Sequence, residues 1–579
     1  MGKKSGLEAE NAAEFARVSA MLPAGSEFPV LRAKQQIYVD KTEKIFALAS
    51  NHGGCYFLAR PHGFGKTTLV STFEELFIHG TAAYNGHPSY FKGLYIDGRW
   101  DEAPGAYNVV RLDFKGFCQD GQSSAVSFEE SLKNTVRFLA QSLHLELNPE
   151  YADDLGWMFG DLLKKCADNS LVVLIDNYDA PLTCTHTAAE YEAVLDIMQG
   201  FFAYVKSYCR KFRFVFITGI TRFQDSSVFS VLDFIDDISY EPIYADICGF
   251  GMPELNTYFA DNLRCAAALR WGMPYAEVST DELSALNAYL MLWWEGCYFG
   301  KDAQHAVLSP GSVLSFFRNA AGDFCLDQAK AESDLQLLAK NILYPRDLLQ
   351  VLNAVALRQD IIVTKKNFFM PGPVQNMNFN VLLYQCGCLT FKVREGIEEN
   401  NSPFIHLRLP NYEAASSLPD LMLKLIFSGK DAQTELAHCQ ARLTAAVQLN
   451  DIRQLRLMFT QLLASAVRVH PQLDLQSSGA AVLGFFLLSC NFSICAAYWQ
   501  MYDCFELCAV SDRLQKRLVL EFKFCSDPKD GFYKALQQAL EQLKGSEYAQ
   551  SELPGQKVLR MALVYSAPDK SFVQAAVPD

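Results

Sequence analysis

The segment Arg60-Pro-His-Gly-Phe-Gly-Lys-Thr67 places glycines, a lysine and a hydroxyl at the spacing of a phosphate-binding P-loop. An apolar run at 55–59 precedes it, and an amphipathic pattern at 68–77 follows it. This order predicts a strand, a loop and a helix, whose backbone N–H groups and positive helix end hold phosphate oxygens. In such a loop Lys66 reaches the terminal phosphates of ATP or GTP, and Thr67 ligates Mg²⁺.

The rest of the loop supplies further candidates for nucleotide binding, namely Gly63, Gly65 and Thr68. The usual pattern begins with glycine five residues before the Gly-Lys pair, and this chain has Arg60 at that position. We count Arg60 among the cofactor-binding candidates because it occupies the first position of the loop.

A second motif, Leu171-Val-Val-Leu-Ile-Asp-Asn-Tyr-Asp179, is an aliphatic run that ends in Asp176. A buried strand of this kind delivers its terminal carboxylate to the Mg²⁺ shell at the carboxyl edge of a parallel sheet. Either motif alone is often only a turn or a strand end. The two together, in this order, predict a nucleotide site.

Hydrolysis depends on the residue after Asp176, which in ATPases of this type is usually a glutamate that orients the attacking water. Here it is Asn177, whose amide cannot act as a base, so we expect slow turnover unless Asp179 substitutes. Thr218, at the end of the next predicted strand, and Arg222, shortly after it, are further candidates. Thr218 either senses the γ-phosphate or makes a strand-end hydrogen bond, and Arg222 either neutralises phosphate charge or is a surface cation.

The elements that must position these residues follow from hydrophobic periodicity. Apolar runs alternate with helical stretches from about 20 to 260, which predicts a parallel α/β sheet with crossover helices. The predicted strands are 55–59, 108–114, 170–175 and 212–218. The middle region reads as helical, with a short sheet insert at 382–393 and 404–409. Its predicted helices are 281–294, 334–343, 347–357, 418–427, 435–447 and 451–467, the last opened by Asp451.

A third region begins near 468 with an apolar helix. It continues with strands at 505–510 and 517–524, a helix at 531–544 and a strand at 558–566. The predicted domains are an N-terminal tail (1–19), a P-loop parallel-sheet ATPase domain (20–264), a helical lid or linker with a small sheet insert (265–467) and a C-terminal α/β domain (468–579).

Composition limits the partners and the compartment. The formal net charge of −14 argues against a general affinity for polyanions, so a nucleic-acid contact needs a local basic patch. The 17 scattered cysteines and the absence of an apolar signal region predict reduced thiols and a cytoplasmic protein. An uncharged stretch at 477–502 is long enough to span a bilayer, but its polar residues favour a buried helix followed by a strand, with no membrane contact.

Several motifs together resemble the bacterial AAA-ATPase-like proteins that carry a C-terminal PD-(D/E)XK nuclease-like domain. The resemblance includes the Arg-Pro start of the loop, and it covers most of the chain. Its other motifs are Tyr38-Val-Asp-Lys-Thr42, Leu174-Ile-Asp-Asn-Tyr-Asp-Ala-Pro-Leu182, Thr218-Gly-Ile-Thr-Arg-Phe223, Gly249-Phe250, Tyr384-Gln-Cys-Gly-Cys-Leu-Thr390 and Leu409-Pro-Asn-Tyr-Glu413. The family usually has glutamate where this chain has Asn177. The resemblance implies a restriction-endonuclease-like fold for the C-terminal α/β domain.

A second candidate site lies in that domain. Side chains alternate along a strand, so Glu521 and Lys523 share one face, and Glu506 lies on the preceding strand. Two carboxylates and a lysine suit a phosphodiesterase that uses Mg²⁺ or Mn²⁺, although an exposed cross-strand pair has the same pattern. The resemblance implies that Glu506, Glu521 and Lys523 are the catalytic set, with Gln542 and Tyr548 from a helix and the segment after it.

The nuclease pattern is incomplete. The family's Gly-Arg pair is replaced by Asp503-Cys504, and its upstream glutamates have no counterpart at 479–499. Arg513, Lys516, Arg517 and Lys523 offer a basic patch for a phosphate backbone, while solvated loop charges explain the first three equally well.

The sequence therefore predicts an ATP-binding AAA-like ATPase coupled to a Mg²⁺-dependent nuclease that acts on DNA or RNA. Nucleotide occupancy is expected to set the geometry of the C-terminal site, because both sites lie in one chain. The alternative is a nucleotide-switched module that binds nucleic acid or protein with impaired chemistry, which Asn177 and the reduced acid set favour. A helical scaffold that binds protein is a third interpretation. A homo-oligomer is compatible with all three.

Overall fold

The computed structural model describes residues 2–117, 124–185, 187–222, 234–319, 334–335, 337–339, 344–372, 376–392, 402–500, 504–525, 531–545, 557–566 and 571–576. They form two compact units. The first comprises Met1–Lys340, Val363–Ile405 and Pro410–Tyr412, and the second comprises Asn341–Ile362, His406–Leu409 and Glu413–Asp579. The bounds of these units differ from the expected domain spans 1–19, 20–264, 265–467 and 468–579. Those spans remain a prediction about functional domains.

The strands are β1 Gly54–Ala59, β2 Asn108–Asp113, β3 Leu171–Asp176, β4 Phe212–Gly219, β5 Asp236–Asp237, β6 Cys297–Tyr298, β7 Ala306–Val307, β8 Ile361–Thr364, β9 Thr390–Phe391, β10 Phe404–Arg408, β11 Ser493–Gln500, β12 Cys504–Ser511, β13 Lys516–Cys525, β14 Lys557–Ser566 and β15 Ser571–Ala576. The helices before the C-terminal region are α1 Gly2–Ala20, α2 Phe28–Ala33, α3 Thr42–Ala49, α4 Lys66–His79, α5 Ser124–Ser142, α6 Leu155–Lys165, α7 Ala180–Thr183, α8 Ala188–Ser207, α9 Met252–Tyr258, α10 Ala260–Trp271, α11 Thr280–Trp294 and α12 Pro310–Arg318. The remaining helices are α13 Pro345–Leu357, α14 Lys365–Phe369, α15 Phe379–Gln385, α16 Tyr412–Ile426, α17 Lys430–Gln448, α18 Ile452–Val469, α19 Leu475–Ser489 and α20 Gly531–Gly545.

The first unit is built on a five-stranded parallel sheet in the order β2-β3-β4-β1-β5. Every residue of β3 and β4 is buried, including Arg213 in β4, which explains why both segments are predominantly apolar in the sequence. All four predicted strands are confirmed within about two residues at their ends. Because the strands are parallel, the ends of β1, β2, β3 and β4 meet at one edge, where open α/β folds bind ligands.

The N-terminal residues that the sequence suggested as a tail form α1, which packs against α10. Asn262 donates a hydrogen bond to the Val18 carbonyl at 3.1 Å, and Asn11 donates one to the Met273 carbonyl at 3.0 Å. The first unit therefore includes this segment in its helical layer.

The small sheet expected at 382–393 and 404–409 is confirmed in part: β9 and β10 belong to a three-stranded sheet in the order β8-β10-β9, but residues 382–385 are helical. The Asn378 side chain accepts hydrogen bonds from the N–H groups of Asn380 and Val381, which caps and starts α15 where a strand was predicted. Only β9 and β10 are strands in the two predicted segments, and Val393 lies outside the described residues. The predicted helix 334–343 also falls partly outside them, at 336 and 340–343.

The second unit contains a five-stranded sheet in the order β11-β12-β13-β14-β15. The pair β13 and β14 is parallel and is connected by α20, which packs on both strands, while the other pairs are antiparallel. The strands predicted at 505–510, 517–524 and 558–566 and the helix at 531–544 are confirmed. Strand β15 was not predicted.

The uncharged stretch at 477–502 folds as the buried helix α19 and then β11, up to the last described residue of the segment. A Cβ added at Gly484 would lie 2.5 Å from Leu352 Cδ2, so this helix packs tightly within its own unit. Among the described helices, none has the length and apolarity to cross a membrane.

Candidate nucleotide site

The loop after β1 has the backbone of a phosphate cradle. Gly63 and Gly65 have φ angles of +82° and +94°, a region that glycine occupies without steric penalty. Lys66 then begins α4, so the loop ends at the positive end of a 14-residue helix. Gly311, at the start of α12, donates a hydrogen bond to the Gly63 carbonyl at 3.0 Å and fixes the loop from the opposite side.

Lys66 is buried under this loop. Its ammonium donates to the carbonyls of Arg60 and Pro61, each at 2.9 Å. Burial lowers the pKa of Lys66, and the nearby carboxylates of Asp176 and Asp179 oppose that change. The loop therefore holds a cation close to the N–H groups that would bind phosphate.

Thr67 and Asp176 bring the two sequence motifs into contact. Thr67 Oγ1 donates a hydrogen bond of 2.7 Å to Asp176 Oδ2, and Asp176 is fully buried. Burial raises the pKa of the Asp176 carboxyl, while the bond from Thr67 and the charge of Lys66 act against this rise. A hydroxyl and a carboxylate are oxygen donors of the kind that Mg²⁺ prefers, so this pair fits the expected metal.

A cavity of about 480 Å³ opens beside the loop. Gly63, Gly65, Lys66, Thr67 and Thr68 line its polar side. The cavity also has an apolar wall, which is formed by Leu31, Ile37, Val39, Ile247, Phe250 and Leu314. A polar end joined to an apolar wall suits a ligand that carries phosphates and a flat base. The sequence reasoning did not identify this wall, since its residues come from four separate segments of the chain.

Asn177 also lines the cavity, where it contacts a residue that the sequence reasoning missed. Its φ of +53° turns the side chain toward β2, and its Nδ2 donates to Asp113 Oδ1 at 2.9 Å. Asp113 ends β2 directly opposite Asp176 in the sheet register, and it lines the same cavity. The signal in the sequence that could have identified Asp113 is its position as the first acidic residue after an apolar run.

Two predicted nucleotide-binding residues have other tasks. The Arg60 guanidinium is buried and donates to the carbonyls of Ala59 and Ser239, both at 2.8 Å, and to that of Tyr244 at 3.0 Å. The Arg60 side chain thus fixes the start of the loop to the neighbouring backbone. Thr218 is also buried, and its hydroxyl donates to the Leu58 carbonyl at 2.8 Å, which is the strand-end bond that the sequence left open.

Asp179 and Arg222 are likewise engaged outside the cavity. Asp179 Oδ2 accepts hydrogen bonds from the N–H groups of Ile220 and Thr221 and from the Thr221 hydroxyl, at 2.7 to 3.0 Å. Arg222 forms an ion pair with Asp237. Neither side chain lines the cavity. Asp179 therefore holds the turn after β4, and this geometry argues against the expectation that it substitutes for the missing glutamate.

In the second unit, the predicted nuclease residues share one face of the sheet. Glu506 lies directly opposite Glu521 in the register of β12 and β13, and Lys523 lies two residues further along the same face. Val519 on that face packs against Ala539 and Leu543 of α20.

Gln542 belongs to α20 as well, next to the residues that face the sheet. Glu506, Glu521 and Lys523 are each less than 10% exposed.

Within the described part of the chain, no group of three or more His, Cys, Asp or Glu side chains could hold a metal ion. Three residues that the resemblance quoted, Phe223, Asp503 and Tyr548, lie outside the described residues.

The expected basic patch does not form from Lys516 and Arg517. Lys516 Nζ donates to the carbonyls of Val447 and Gln448, at 2.8 and 3.0 Å, and so closes the C-terminal end of α17. Arg517 is buried, and only Arg513 of the three loop cations is exposed.

Two comparisons with known proteins bear on this chain. Residues 24–229 match the family described as "Predicted AAA-ATPase". Over 435 residues the chain is 26% identical to an "Uncharacterized protein in vnfD 5'region" of Azotobacter chroococcum mcd 1, which covers 74% of each chain. The matched segment contains β1 to β4, the P-loop and Asp176. Residues 24–229 therefore carry a predicted AAA-ATPase-like domain.

Proposed function

We propose that the first unit binds ATP together with Mg²⁺ and hydrolyses it slowly. The observation that carries this proposal is the 2.7 Å hydrogen bond between Thr67 and Asp176, since it joins the loop motif to the strand motif at the N-terminus of α4. Lys66, buried beside them, supplies the positive charge that terminal phosphates require. The cavity beside the loop has the volume and the apolar wall for a nucleoside.

Each residue has a distinct task in this proposal. The N–H groups after Gly63 hold phosphate oxygens, and Lys66 moves from the carbonyls of Arg60 and Pro61 to the terminal phosphates. Thr67 and Asp176 hold the metal, which neutralises charge on the phosphates when it is bound. We expect the Thr67–Asp176 bond to preorganise both oxygens, because it fixes their side chains before the nucleotide arrives.

The Mg²⁺ dependence of ATP affinity tests this proposal. We expect the parent protein to bind ATP more tightly with Mg²⁺ than with a chelator, and Thr67→Val to reduce that difference by about 10–100-fold. Thr434→Val is a matched control, because that exposed hydroxyl bonds only to a carbonyl of its own helix. An unchanged Mg²⁺ dependence in Thr67→Val would remove Thr67 from the metal shell.

We also propose a second function, metal-dependent cleavage of DNA or RNA, for the sheet of the second unit. Its support is the direct opposition of Glu506 and Glu521, since two buried carboxylates facing each other require a cation nearby. Lys523 on the same face can supply that cation, or can stabilise the charge that develops on a phosphate held by Mg²⁺ or Mn²⁺.

The test for the second function is cleavage of single-stranded DNA, double-stranded DNA and RNA with Mg²⁺ or Mn²⁺. Cleavage should disappear in Lys523→Ala and persist in Lys534→Ala, whose lysine is exposed on α20. Cleavage that survives in Lys523→Ala would remove this lysine from the mechanism.

The rival function is a nucleotide-switched binding module in which both sites keep their ligands without turnover. Its support is Asn177, which occupies the position of the usual glutamate. Phosphate release and nucleic-acid cleavage by Asn177→Glu, compared with the parent, separate the two proposals. A gain of turnover in Asn177→Glu would indicate that the parent site binds nucleotide without hydrolysing it. Nucleic-acid cleavage measured with and without ATP tests coupling between the two sites.

A further inference from the structure

We propose that Asp113 is the general base for ATP hydrolysis in this protein and that Asn177 is its positioning residue. The inference rests on the proposed nucleotide site and assigns the one role that the sequence left without a residue. Asn177 cannot accept a proton from water, and Asp179 does not line the cavity, since its Oδ2 accepts three hydrogen bonds from the turn at 220–221. Asp113 is an acid in the same cavity as Lys66 and Thr67.

The sheet places Asp113 one strand away from the expected metal ligands. Asp113 and Asp176 are register partners at the ends of two adjacent parallel strands, which run about 5 Å apart. Asp176 is bonded to Thr67, so the Asp113 carboxylate lies one strand beyond the expected metal ligands. A base in that position can reach a water molecule beside the terminal phosphate.

The carboxylate of Asp113 is held on one side and open on the other. Its Oδ1 accepts hydrogen bonds from Asn177 Nδ2 at 2.9 Å and from the Lys115 N–H at 3.0 Å. Its Oδ2 has no hydrogen-bond partner in the described part of the chain, and the residue is exposed to the cavity. One fixed and one open oxygen is the arrangement that a water-orienting base needs.

Asn177 is suited to hold Asp113. It adopts the left-handed backbone region at φ +53°, which asparagine tolerates better than most residues, and this conformation directs the amide toward β2. The amide donates to Asp113 without adding a negative charge beside it. The bond therefore orients the carboxylate.

The reaction step balances with groups already named. The water oxygen forms a bond to the γ-phosphorus while the bond from that phosphorus to the β–γ bridging oxygen breaks, and its electron pair leaves with ADP. The proton of the water passes to Asp113 Oδ2 and then to solvent. Asp113 returns to its ionised form for the next turnover.

Asp113→Asn tests the base directly, because the new side chain has the same shape and lies at an exposed position. We expect kcat for phosphate release to fall about 100–1,000-fold while the Kd for Mg²⁺-ATP changes less than about threefold. Asp101→Asn is an exposed control that should leave both quantities unchanged. Turnover within about threefold of the parent would overturn the assignment.

A parent protein that binds Mg²⁺-ATP but shows no turnover would also overturn the assignment and would leave the nucleotide-binding proposal intact. A parent that does not bind Mg²⁺-ATP would instead defeat the proposed function itself. The two failures are therefore distinguishable.

Asn177→Asp tests the positioning role through the pH profile of kcat. The charged groups at this edge of the sheet include Asp176 on β3, Lys66 on α4, Arg111 on β2 and Lys115 just after it, and Lys41 lines the same cavity. A second carboxylate beside Asp113 adds to the charge of Asp176, so we expect the midpoint of the rise in kcat to move to higher pH. An unmoved midpoint would exclude Asn177 as the partner of the base.

Discussion

Thr67 Oγ1 lies 2.7 Å from Asp176 Oδ2, and this single hydrogen bond connects two motifs that are widely separated in the chain. The sheet order makes the contact achievable, because β4 lies between β1 and β3 and all three strands end at the same edge. The contact places a buried carboxylate beside a buried lysine at the start of α4. We interpret the pair as the oxygen ligands that a nucleotide-bound Mg²⁺ would meet.

Asp176→Asn should stabilise the nucleotide-free protein near neutral pH. Burial raises the pKa of Asp176 above its ordinary value of 3.8, so the folded state binds the proton more tightly than the unfolded state. The stability that this proton gives is present below pH 3.8 and is lost as pH rises through the raised pKa. Asp176→Asn avoids that loss, so its free energy of unfolding at pH 7.5 should exceed that of the parent by about 1 kcal/mol. It should therefore unfold at a higher temperature than the parent.

Thermal unfolding at pH 7.5 and pH 5 checks this prediction. The difference in unfolding temperature between Asp176→Asn and the parent should be smaller at pH 5, where more of the parent carboxyl keeps its proton. Mg²⁺-ATP should stabilise the parent and have little effect on the variant. A variant that unfolds at a lower temperature than the parent at pH 7.5 would contradict the interpretation.

Asn177→Glu should reduce stability by about 1 kcal/mol, because glutamate tolerates the left-handed backbone at φ +53° less well than asparagine does. Asn177→Gly removes the same side-chain bond without this backbone strain and serves as the comparison. Chemical denaturation measures both free energies of unfolding. If the glutamate variant is as stable as the glycine variant, the backbone conformation does not explain the choice of asparagine.

Asp179→Ala should reduce stability by about 3 kcal/mol, because it removes the acceptor for two N–H groups and one hydroxyl of the turn after β4. The Kd for Mg²⁺-ATP, measured below the unfolding temperature, should change less than about threefold. Loss of turnover without loss of stability would restore Asp179 as a catalytic candidate.

Lys516→Ala should destabilise the second unit by about 1–3 kcal/mol, because the carbonyls of Val447 and Gln448 lose their donor at the end of α17. Arg513→Ala is the matched surface control and should change stability by no more than about 0.5 kcal/mol. Chemical denaturation of the two variants and the parent measures both effects. Equal stability of the two variants would show that Lys516 is a solvated loop charge.

Local pattern predicted the framework of both units. Predominantly apolar runs identified β3 and β4, and the glycines of the loop identified the turn into α4, since both signals are encoded within a few residues. The error at 382–393 arose because an apolar run fits a buried helix as well as a strand. The cap provided by Asn378 was the decisive local feature.

The site residues were harder to predict because their partners lie far away in the chain. Thr218 and Asp179 have suitable chemistry, but the Thr218 hydroxyl bonds to the Leu58 carbonyl and Asp179 Oδ2 bonds to the turn at 220–221. Asp113 was missed for the converse reason. Its importance comes from its register with Asp176 and its bond from Asn177, which appear only when β2 and β3 are paired.

Titration of Mg²⁺-ATP into the parent protein and into Lys66→Ala, followed by calorimetry, tests the nucleotide site most directly. We expect measurable binding by the parent and a loss of about 10–100-fold in affinity in the variant, because the loop loses its charged donor. Lys34→Ala, at an exposed position, should bind like the parent. Equal affinity of Lys66→Ala and the parent would contradict the assignment of this loop as the phosphate site.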